Sequence, residues 1–392
     1  MERLRAAVKY GADAVYMGGA GLDLRAYAPG FSAEELSKGI ELAHDSGVKV
    51  YLTLNIIAHN RHLEDAGIKF KDIEKLGPDA LIIADAGLWE LAKRTVPHIP
   101  VHLSTQAAVT NWRSAKFWFD LGVKRVNLSR ELSLEEVREI RDKVDIELEV
   151  FIHGAMCVAY SGRCLLSAYF TGRGANRGEC TQPCRWSYEL FEENRPHDPL
   201  VLSEGKEGSF ILSSRDLCMI RHIPEMIQSG VNGLKIEGRM KSIHYVATVT
   251  RVYREALDRY ISDPKGYEFD PSWEAELRKV SHRSYHTGFY FGRPEQVDPD
   301  DKRSYLGDCV MTGLVLGFEK ETGMAIVEQR NRFFKGDMLE VFGPKKGPYS
   351  FQVNRLYDEN GTEISAAPHP RQIIRIPVEQ ELSHLDVLRK YI

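Results

Sequence analysis

Two kinds of segment are missing from this 392-residue sequence. It contains no apolar run approaching the roughly 20 residues that cross a bilayer, and the stretch from Met1 to Tyr10 lacks the charged-then-apolar pattern of a secretory signal. We therefore expect a cytoplasmic protein without membrane contact. Thiols stay reduced in that compartment, so we expect its cysteines to serve metal binding or catalysis and not disulfides.

Common hydrolase motifs are also missing. We find no His-Glu-x-x-His helix, no Gly-x-Ser-x-Gly elbow and no Gly-x-x-x-x-Gly-Lys loop, which leaves unaided peptide hydrolysis without visible machinery. The net charge of −4 argues against a broad non-specific nucleic-acid surface, so a nucleic-acid substrate would need a local basic patch. The hydrophobic content of 43% is sufficient for a large core, which predicts a folded protein of enzyme size.

The N-terminal part alternates apolar strand patterns with amphipathic helical patterns. The predicted strands are Ala14–Met17, Val48–Asn55, Ala80–Ala84, Val101–Ser104, Arg125–Ser129, Leu148–His153 and Gly233–Glu237. The predicted helices include Ala33–His44, Leu134–Lys143 and Ser242–Tyr260. Repeated β-α units imply parallel pairing, and this length favours an α/β TIM-like barrel over residues 1–284. Several strands end in polar residues, which is where barrel enzymes place their chemistry.

The predicted barrel has seven strands, whereas a closed barrel of this type has eight. We expect the missing strand to precede Ala14–Met17, which would mean that the start codon is assigned too late or that the chain is truncated. A linker at 285–304 follows the barrel. Apolar runs at Thr312–Phe318, Met324–Gln329, Met338–Phe342 and Ile373–Val378 then predict a small antiparallel β-barrel over 305–392.

Five of the six cysteines lie close together in the sequence, and four of them belong to an insertion at 156–212 that is too long for an ordinary barrel loop. These five are Cys157, Cys164, Cys180, Cys184 and Cys218. The spacings of six, fifteen and three residues between the first four do not fit paired zinc knuckles. Iron–sulfur ligation tolerates such spacing, with four thiolates on a [4Fe–4S] cluster or three and an open iron. Reduced packing cysteines are the alternative.

Two further expectations concern the local structure of this region. The pieces Ser187–Glu192 and Ser209–Ser213 predict a small hairpin over the barrel mouth. Cys218 is predicted at the start of a helix that Ser214 or Asp216 would cap.

The stretch from Cys157 to Tyr188 also combines basic and aromatic residues with a single acid, Glu179. These residues are Arg163, Arg173, Arg177, Arg185, Tyr160, Tyr169, Phe170, Trp186 and Tyr188. Arginines and aromatic rings suit phosphate contact and base stacking, which indicates a candidate RNA-binding surface. An ordinary solvated surface is the alternative.

Two groups of polar residues on strands are candidate catalytic residues. Glu149 and His153 share one face of a predicted strand that would point into the barrel, where His153 could act as a general base or remain a core histidine. Lys235, Glu237 and Arg239 would share a face of the last strand. A buried set of this kind must pair internally or bind an anion such as a dicarboxylate, and the residues alone do not decide between these alternatives.

Four separated motifs occur along the chain. They are Glu149-Val-Phe-Ile-His-Gly-Ala-Met-Cys157, Ser161-Gly-Arg-Cys164-Leu-Leu-Ser167, Gly178-Glu-Cys180-Thr-Gln-Pro-Cys184-Arg-Trp186 and Leu234-Lys-Ile-Glu-Gly-Arg239-Met-Lys-Ser242. In this order they resemble the family historically labelled peptidase U32, and the likeness covers nearly the whole chain. Within it, the sequence is most similar to the tRNA hydroxylation proteins. Relatives begin with an extra apolar strand that this chain lacks, in agreement with the strand count.

The resemblance implies prephenate-dependent conversion of the wobble uridine of tRNA to 5-hydroxyuridine. It also implies a [4Fe–4S] cluster held by Cys157, Cys164, Cys180 and Cys218, with Cys184 as the alternative fourth ligand. Relatives that work in pairs imply a second, paralogous U32 subunit. Alternative functions are hydroxylation of rRNA or of a quinone precursor, a collagenase-like U32 peptidase, and non-catalytic RNA binding.

Overall fold

The computed structural model describes residues 1–18, 31–156, 159–160, 163–177, 180–186, 215–292, 307–344 and 347–392. These residues form two compact units. Unit 1 lies within Asp13–Glu237 and Arg283–Ser304, and unit 2 lies within Glu2–Ala12, Gly238–His282 and Tyr305–Ile392. Within the described ranges, none of the helices has the length and apolar character needed to cross a membrane.

The helices and strands are numbered in chain order. The helices are α1 Glu2–Lys9, α2 Ala33–Asp45, α3 Asn60–Leu63, α4 Ala66–Leu76, α5 Ala86–Thr95, α6 Trp112–Asp120, α7 Leu134–Lys143, α8 Leu166–Thr171, α9 Ile223–Gln228, α10 Ile243–Ser262 and α11 Pro271–Arg278. The strands of unit 1 are β1 Ala14–Met17, β2 Lys49–Leu54, β3 Ala80–Ile83, β4 Val101–Leu103, β5 Arg125–Asn127, β6 Glu147–Ala155, β7 Asp216–Cys218, β8 Gly233–Ile236 and β9 Tyr285–His286. The strands of unit 2 are β10 Cys309–Glu319, β11 Met324–Gln329, β12 Phe333–Phe334, β13 Met338–Phe342, β14 Tyr349–Gln352, β15 Tyr357–Asp358, β16 Ala366–Ala367, β17 Ile373–Pro377 and β18 Val387–Tyr391.

Unit 1 contains a parallel sheet in which β1 to β6 pair in sequence order and β8 pairs with β6. These seven strands are the seven that the sequence predicts. The Lys235 ammonium of β8 lies 4.8 Å from the centre of the Tyr16 ring of β1. Because the first and last parallel strands meet in this way across the inner face, the sheet is curled, and the predicted α/β class is confirmed.

Two strands of this sheet are not predicted from the sequence. The carboxyl end of β6 pairs in antiparallel fashion with β7, which in turn pairs in parallel with β9. The predicted helix start at Cys218 is therefore wrong, since Asp216–Cys218 is a strand with Asp216 and Leu217 buried between two neighbours. The predicted hairpin at Ser187–Glu192 and Ser209–Ser213 lies outside the described residues.

Capping residues explain where the outer helices of unit 1 begin. At α2, the Ser32 hydroxyl accepts a hydrogen bond from the Glu35 amide, and the Glu35 carboxylate accepts one from the Ser32 amide. Ser133 and Glu136 form the same reciprocal pair at α7. Such capping boxes satisfy amides that the first helical turn leaves free.

Unit 2 contains an antiparallel sheet in the order β14-β13-β18-β10-β11-β17-β15, with a separate β12-β16 pair. The predicted C-terminal β structure is confirmed. This unit also includes α1, α10 and α11, whereas the sequence assigned residues 1–284 to the barrel. At the predicted linker, Tyr285–His286 forms β9 of the unit 1 sheet, and residues 293–306 lie outside the described ranges.

A buried ion-pair cluster connects α11 to the sheet of unit 2. The Arg389 side chain is 0% exposed, and its Nη2 lies 2.6 Å from both Glu276 and Glu340 carboxylates. Lys279 Nζ lies 2.6 Å from Glu276 and 3.0 Å from Glu340. Two cations thus match two carboxylates. Burial, and then the charges of Arg389 and Lys279, lower the pKa of nearby His244 to about 3, so this imidazole stays neutral near pH 7.

Replacing Arg389 by Ala should destabilise unit 2 by about 3–5 kcal/mol, because it leaves two carboxylates buried with one cation. Urea denaturation, monitored by circular dichroism, measures the decrease in the free energy of unfolding. Arg278→Ala is the matched control, since Arg278 pairs with Glu274 at 3.2 Å on an exposed helix face, where such pairs contribute less than about 1 kcal/mol. Equal losses in the two variants would contradict the role of the cluster.

Candidate functional site

The inner face of the unit 1 sheet carries a network of charged and polar side chains. Lys235 Nζ of β8 donates to Glu149 of β6 and to Asn127 of β5, each at 2.9 Å. Arg125 donates to Glu149 at 3.0 Å and to Glu147 at 2.7 Å. The structure therefore brings together Glu149 and Lys235, which the sequence placed in two separate candidate groups.

This environment determines the charges of the network. Burial by itself raises the pKa of Glu149, but the charge and hydrogen bond of Lys235, together with the charge of Arg125, lower it below its ordinary value. Burial, followed by repulsion from Arg125, lowers the pKa of His102 on β4 to about 4. The site at neutral pH thus contains an ionised Glu149 and a neutral His102.

The predicted arrangement of Lys235, Glu237 and Arg239 on one strand face is wrong. Strand β8 ends at Ile236, so Glu237 and Arg239 follow it, and Arg239 lies in a turn. Of the two alternatives, pairing within the protein or binding an anion, the first applies to Lys235, because its ammonium already contacts Glu149 and Asn127. Lys235 is thereby part of a charge-matched network.

Sequence reasoning missed Arg125, Asn127 and His102 as members of this network. A signal for them was present, since Arg125 and Asn127 alternate with Val126 on a short strand and so point to the same face. His102 similarly lies between two apolar residues of β4. Polar residues at alternate positions of a buried strand predict an inward-facing polar layer.

Replacing Lys235 by Met should destabilise unit 1 by about 3 kcal/mol at neutral pH, because Glu149 then keeps only the charge of Arg125. The lowered pKa of Glu149 contributes stability above its ordinary value of 4.5, and that contribution is lost as the pH falls through the folded-state pKa. The difference between variant and unchanged protein should therefore shrink below that value. Urea denaturation at a series of pH values measures this trend.

The control for this variant is Lys38→Met, which removes an exposed pair with Glu34 on α2. We expect a change below about 1 kcal/mol at every pH. A loss in Lys235→Met that did not depend on pH would show that packing, and not the charge of Glu149, accounts for the effect.

His153 lies at the carboxyl end of β6 and is 1% exposed. Its ring centre lies 5.2 Å from that of Tyr285 on β9. The antiparallel register of β6 and β7 places His153 opposite Cys218. The structure thus brings His153, Tyr285 and a candidate cysteine ligand together at the end of the barrel where the predicted chemistry lies.

The other candidate cysteines follow β6 in the sequence. Cys157 lies outside the described residues. Hydrogen bonds from the Thr181 amide to the Ser167 hydroxyl, and between the two hydroxyls, hold the segments after Cys164 and around Cys180 together, each at 3.1 Å. Cys184 lies in a short 3-10 turn, Pro183–Arg185. In the part of the chain that the structure describes, no three Cys, His, Asp or Glu side chains form a group that could hold a metal ion.

Exposed aromatic rings accompany these cysteines. Tyr169 and Phe170 of α8 lie 5.4 Å apart between ring centres, and Phe170 lies 6.4 Å from Trp186. All three rings are exposed, as are Arg163 and Arg173 on the same segment. The predicted Arg and aromatic surface is thus present in part; the side chains of Arg177, Arg185 and Tyr188 lie outside the described residues.

Fold and site together define a class of α/β protein in which a curled parallel sheet encloses a charge-matched interior and a cysteine-bearing segment follows its sixth strand. The model of peptidase family U32 matches residues 1–299, and that of the peptidase family U32 C-terminal domain matches residues 308–389. The chain belongs to peptidase family U32, as its motifs predict.

Several relatives match nearly all of this chain, and the following three are among them. A tRNA hydroxylation protein P1 of Bacillus subtilis is 42% identical, over 100% of this chain and 92% of its own length. A tRNA hydroxylation protein P of Escherichia coli is 36% identical, over 97% of this chain and 92% of its own length. A 23S rRNA 5-hydroxycytidine synthase of Escherichia coli is 37% identical, over 97% of this chain and 58% of its own length.

Proposed function

We propose that this protein is an RNA hydroxylase that forms 5-hydroxyuridine at the wobble position of tRNA, with prephenate as co-substrate. The names of two relatives support hydroxylation of tRNA, and the wobble uridine and prephenate are what the resemblance of the motifs implies. The structural observation that carries the proposal is the exposed surface of Tyr169, Phe170 and Trp186 on the cysteine-bearing segment. Stacking on exposed rings, with arginines nearby, is the usual way in which proteins hold unpaired bases.

We further propose that Cys157, Cys164, Cys180 and Cys218 hold a [4Fe–4S] cluster. The chemistry of the donor set fits this group, because four cysteine thiolates are its usual protein ligands. The Ser167–Thr181 hydrogen bonds connect the segment after Cys164 with the segment around Cys180. The β6–β7 register supports Cys218 as the fourth ligand, since it places Cys218 opposite a residue only four positions before Cys157. When bound, such a cluster supplies one-electron redox chemistry or an iron that acts as a Lewis acid.

The chain's own residues have separate roles in this proposal. The aromatic surface binds the unpaired bases of the RNA, and His153, near the carboxyl end of β6, would hold or move a proton at its imidazole. The Glu149–Lys235 pair fixes the strands beneath and takes no part in proton transfer, because the lowered pKa of Glu149 keeps this carboxylate ionised and paired with Lys235.

Anaerobic reconstitution of single-cysteine variants tests the ligand set. Cys164→Ala and Cys218→Ala should lose most of the bound iron and sulfide together with the visible absorption, while Cys184→Ala should keep them. If Cys218→Ala retains iron and sulfide and Cys184→Ala loses them, the fourth ligand is Cys184 instead of Cys218. Unchanged protein without iron or sulfide would end the cluster proposal.

Cys309→Ala is the matched control for these variants. Cys309 lies buried in β10 of unit 2, and burial raises the pKa of its thiol to about 11, so it remains protonated and unsuited to metal binding. The variant also loses one thiol, and its iron content should equal that of the unchanged protein.

Mass spectrometry of tRNA nucleosides from a strain that lacks this gene tests the reaction. The unchanged protein should restore 5-hydroxyuridine in this strain. In a separate binding titration, Phe170→Ala should bind tRNA about 5- to 150-fold more weakly, because one stacked base contributes about 1–3 kcal/mol. Phe117→Ala removes another exposed phenylalanine, on α6, and should bind tRNA normally.

The same nucleoside measurement separates the competing substrates. Restoration of 5-hydroxycytidine in 23S rRNA, without 5-hydroxyuridine in tRNA, would assign the protein to the rRNA reaction instead. Restoration of neither nucleoside would contradict the proposed function. Unchanged tRNA binding by Phe170→Ala would contradict only the assignment of the aromatic surface.

A further inference from the structure

The carboxyl ends of β4, β5 and β6 form a continuous rim above the charged interior. The Thr105 hydroxyl, just after β4, donates to the Leu128 carbonyl at 3.1 Å. The Ser129 amide donates to the Val109 carbonyl at 3.2 Å. Arg130 Nη1 donates to the Ala155 carbonyl, at the end of β6, at 2.5 Å. The residues that follow these strands are therefore direct neighbours.

Three buried polar atoms on this rim have no hydrogen-bond partner among the described residues. They are the side-chain oxygen of Gln106, the hydroxyl oxygen of Ser129 and the Nε of Arg130. Ser129 as a whole is only 3% exposed. A buried polar group without a partner costs about 1–3 kcal/mol, so several together on one rim indicate a site that a ligand completes.

The charge of Arg130 is also unmatched. Within the described ranges no carboxylate lies within ion-pair distance of it, whereas Glu149 matches both Arg125 and Lys235. The Arg130 guanidinium carbon lies 3.8 Å from the centre of the Phe151 ring. Stacking of this kind fixes the plane of the guanidinium and leaves its edge donors available for hydrogen bonds.

We propose that Arg130, Ser129 and Gln106 form a binding site for a small hydroxylated organic acid. The edge of Arg130 would donate to the carboxylate of the ligand, the Ser129 hydroxyl would add a further donor, and the Gln106 carbonyl oxygen would accept from a hydroxyl group of the ligand. The inference deepens the proposed function, on which it rests for its probe, since prephenate carries both chemical groups. The location of the site rests on the geometry of the rim alone.

Calorimetric titration of the anaerobically loaded protein with prephenate tests the site. Arg130→Gln should bind at least about tenfold more weakly than the unchanged protein, and Arg130→Lys should lie between them, because lysine keeps the charge but not the planar fork. Arg113→Gln is the matched control, since Arg113 also stacks on a ring, that of Trp112 at 4.4 Å, but on α6. It should bind prephenate normally.

Ser129→Ala and Gln106→Leu provide an independent measurement if Arg130→Gln fails to fold. Each should weaken prephenate binding several-fold while the thermal transition stays close to that of the unchanged protein. Binding as tight as that of the unchanged protein in all of these variants would overturn the proposal. Binding of inorganic phosphate that Arg130→Gln weakens, together with no binding of prephenate, would also overturn it and assign Arg130 to an RNA phosphate.

The nucleoside measurement distinguishes failure of this site from failure of the proposed function. If the unchanged protein restores 5-hydroxyuridine and Arg130→Gln binds prephenate normally, only the site assignment is wrong. If Arg130→Gln loses prephenate binding but the unchanged protein restores no hydroxylated nucleoside, the site stands and the proposed function fails.

Discussion

The structure of unit 1 depends on the ionised Glu149 inside the curled sheet. A buried carboxylate costs several kcal/mol unless opposite charges and hydrogen bonds compensate for it. Lys235 from β8 and Arg125 from β5 supply that compensation, and they do so from both sides of β6. The pairing therefore fixes the positions of three strands relative to one another. Burial, followed by the charge of Arg125, lowers the pKa of His102 and keeps it neutral. Much of the polar interior follows from this one carboxylate.

Charge matching also divides the interior into two levels. Phe151 is close to a cation of each level, with Lys235 Nζ 5.6 Å and the Arg130 guanidinium carbon 3.8 Å from its ring centre. In the lower level, Lys235 contacts a carboxylate. On the rim, Arg130 has no carboxylate partner among the described residues. An incoming anion would have to displace the Glu149 carboxylate to reach Lys235, whereas at Arg130 it would have no carboxylate of the described residues to displace. The lower level is thus structural, and the anion site that we propose lies on the rim.

A strand could be predicted from the sequence when its own residues form a recognisable pattern, and could not when it depends on pairing with distant residues. The seven parallel strands are mainly apolar runs that are buried or half-buried, so their positions were readable from the sequence. Strands β7 and β9 were not, because a strand of two or three residues exists only through pairing with β6 and with each other. Glu149 and Lys235 were recognised separately. Their contact depends on the curl and register of the sheet, which no local pattern contains.

The cysteine-bearing segment has a different physical basis from the barrel. In its described part, regular structure is limited to the six residues of α8 and two 3-10 turns of three residues each. Side-chain hydrogen bonds between Ser167 and Thr181 connect its parts, and the exposed rings Tyr169, Phe170 and Trp186 contribute little buried area. A segment with so little core gains stability from a metal bound by its thiols, since binding free energy then becomes folding free energy. Cluster binding and presentation of the aromatic surface are therefore coupled in our proposal, so that the protein would present its RNA-binding rings fully only when the thiols are occupied.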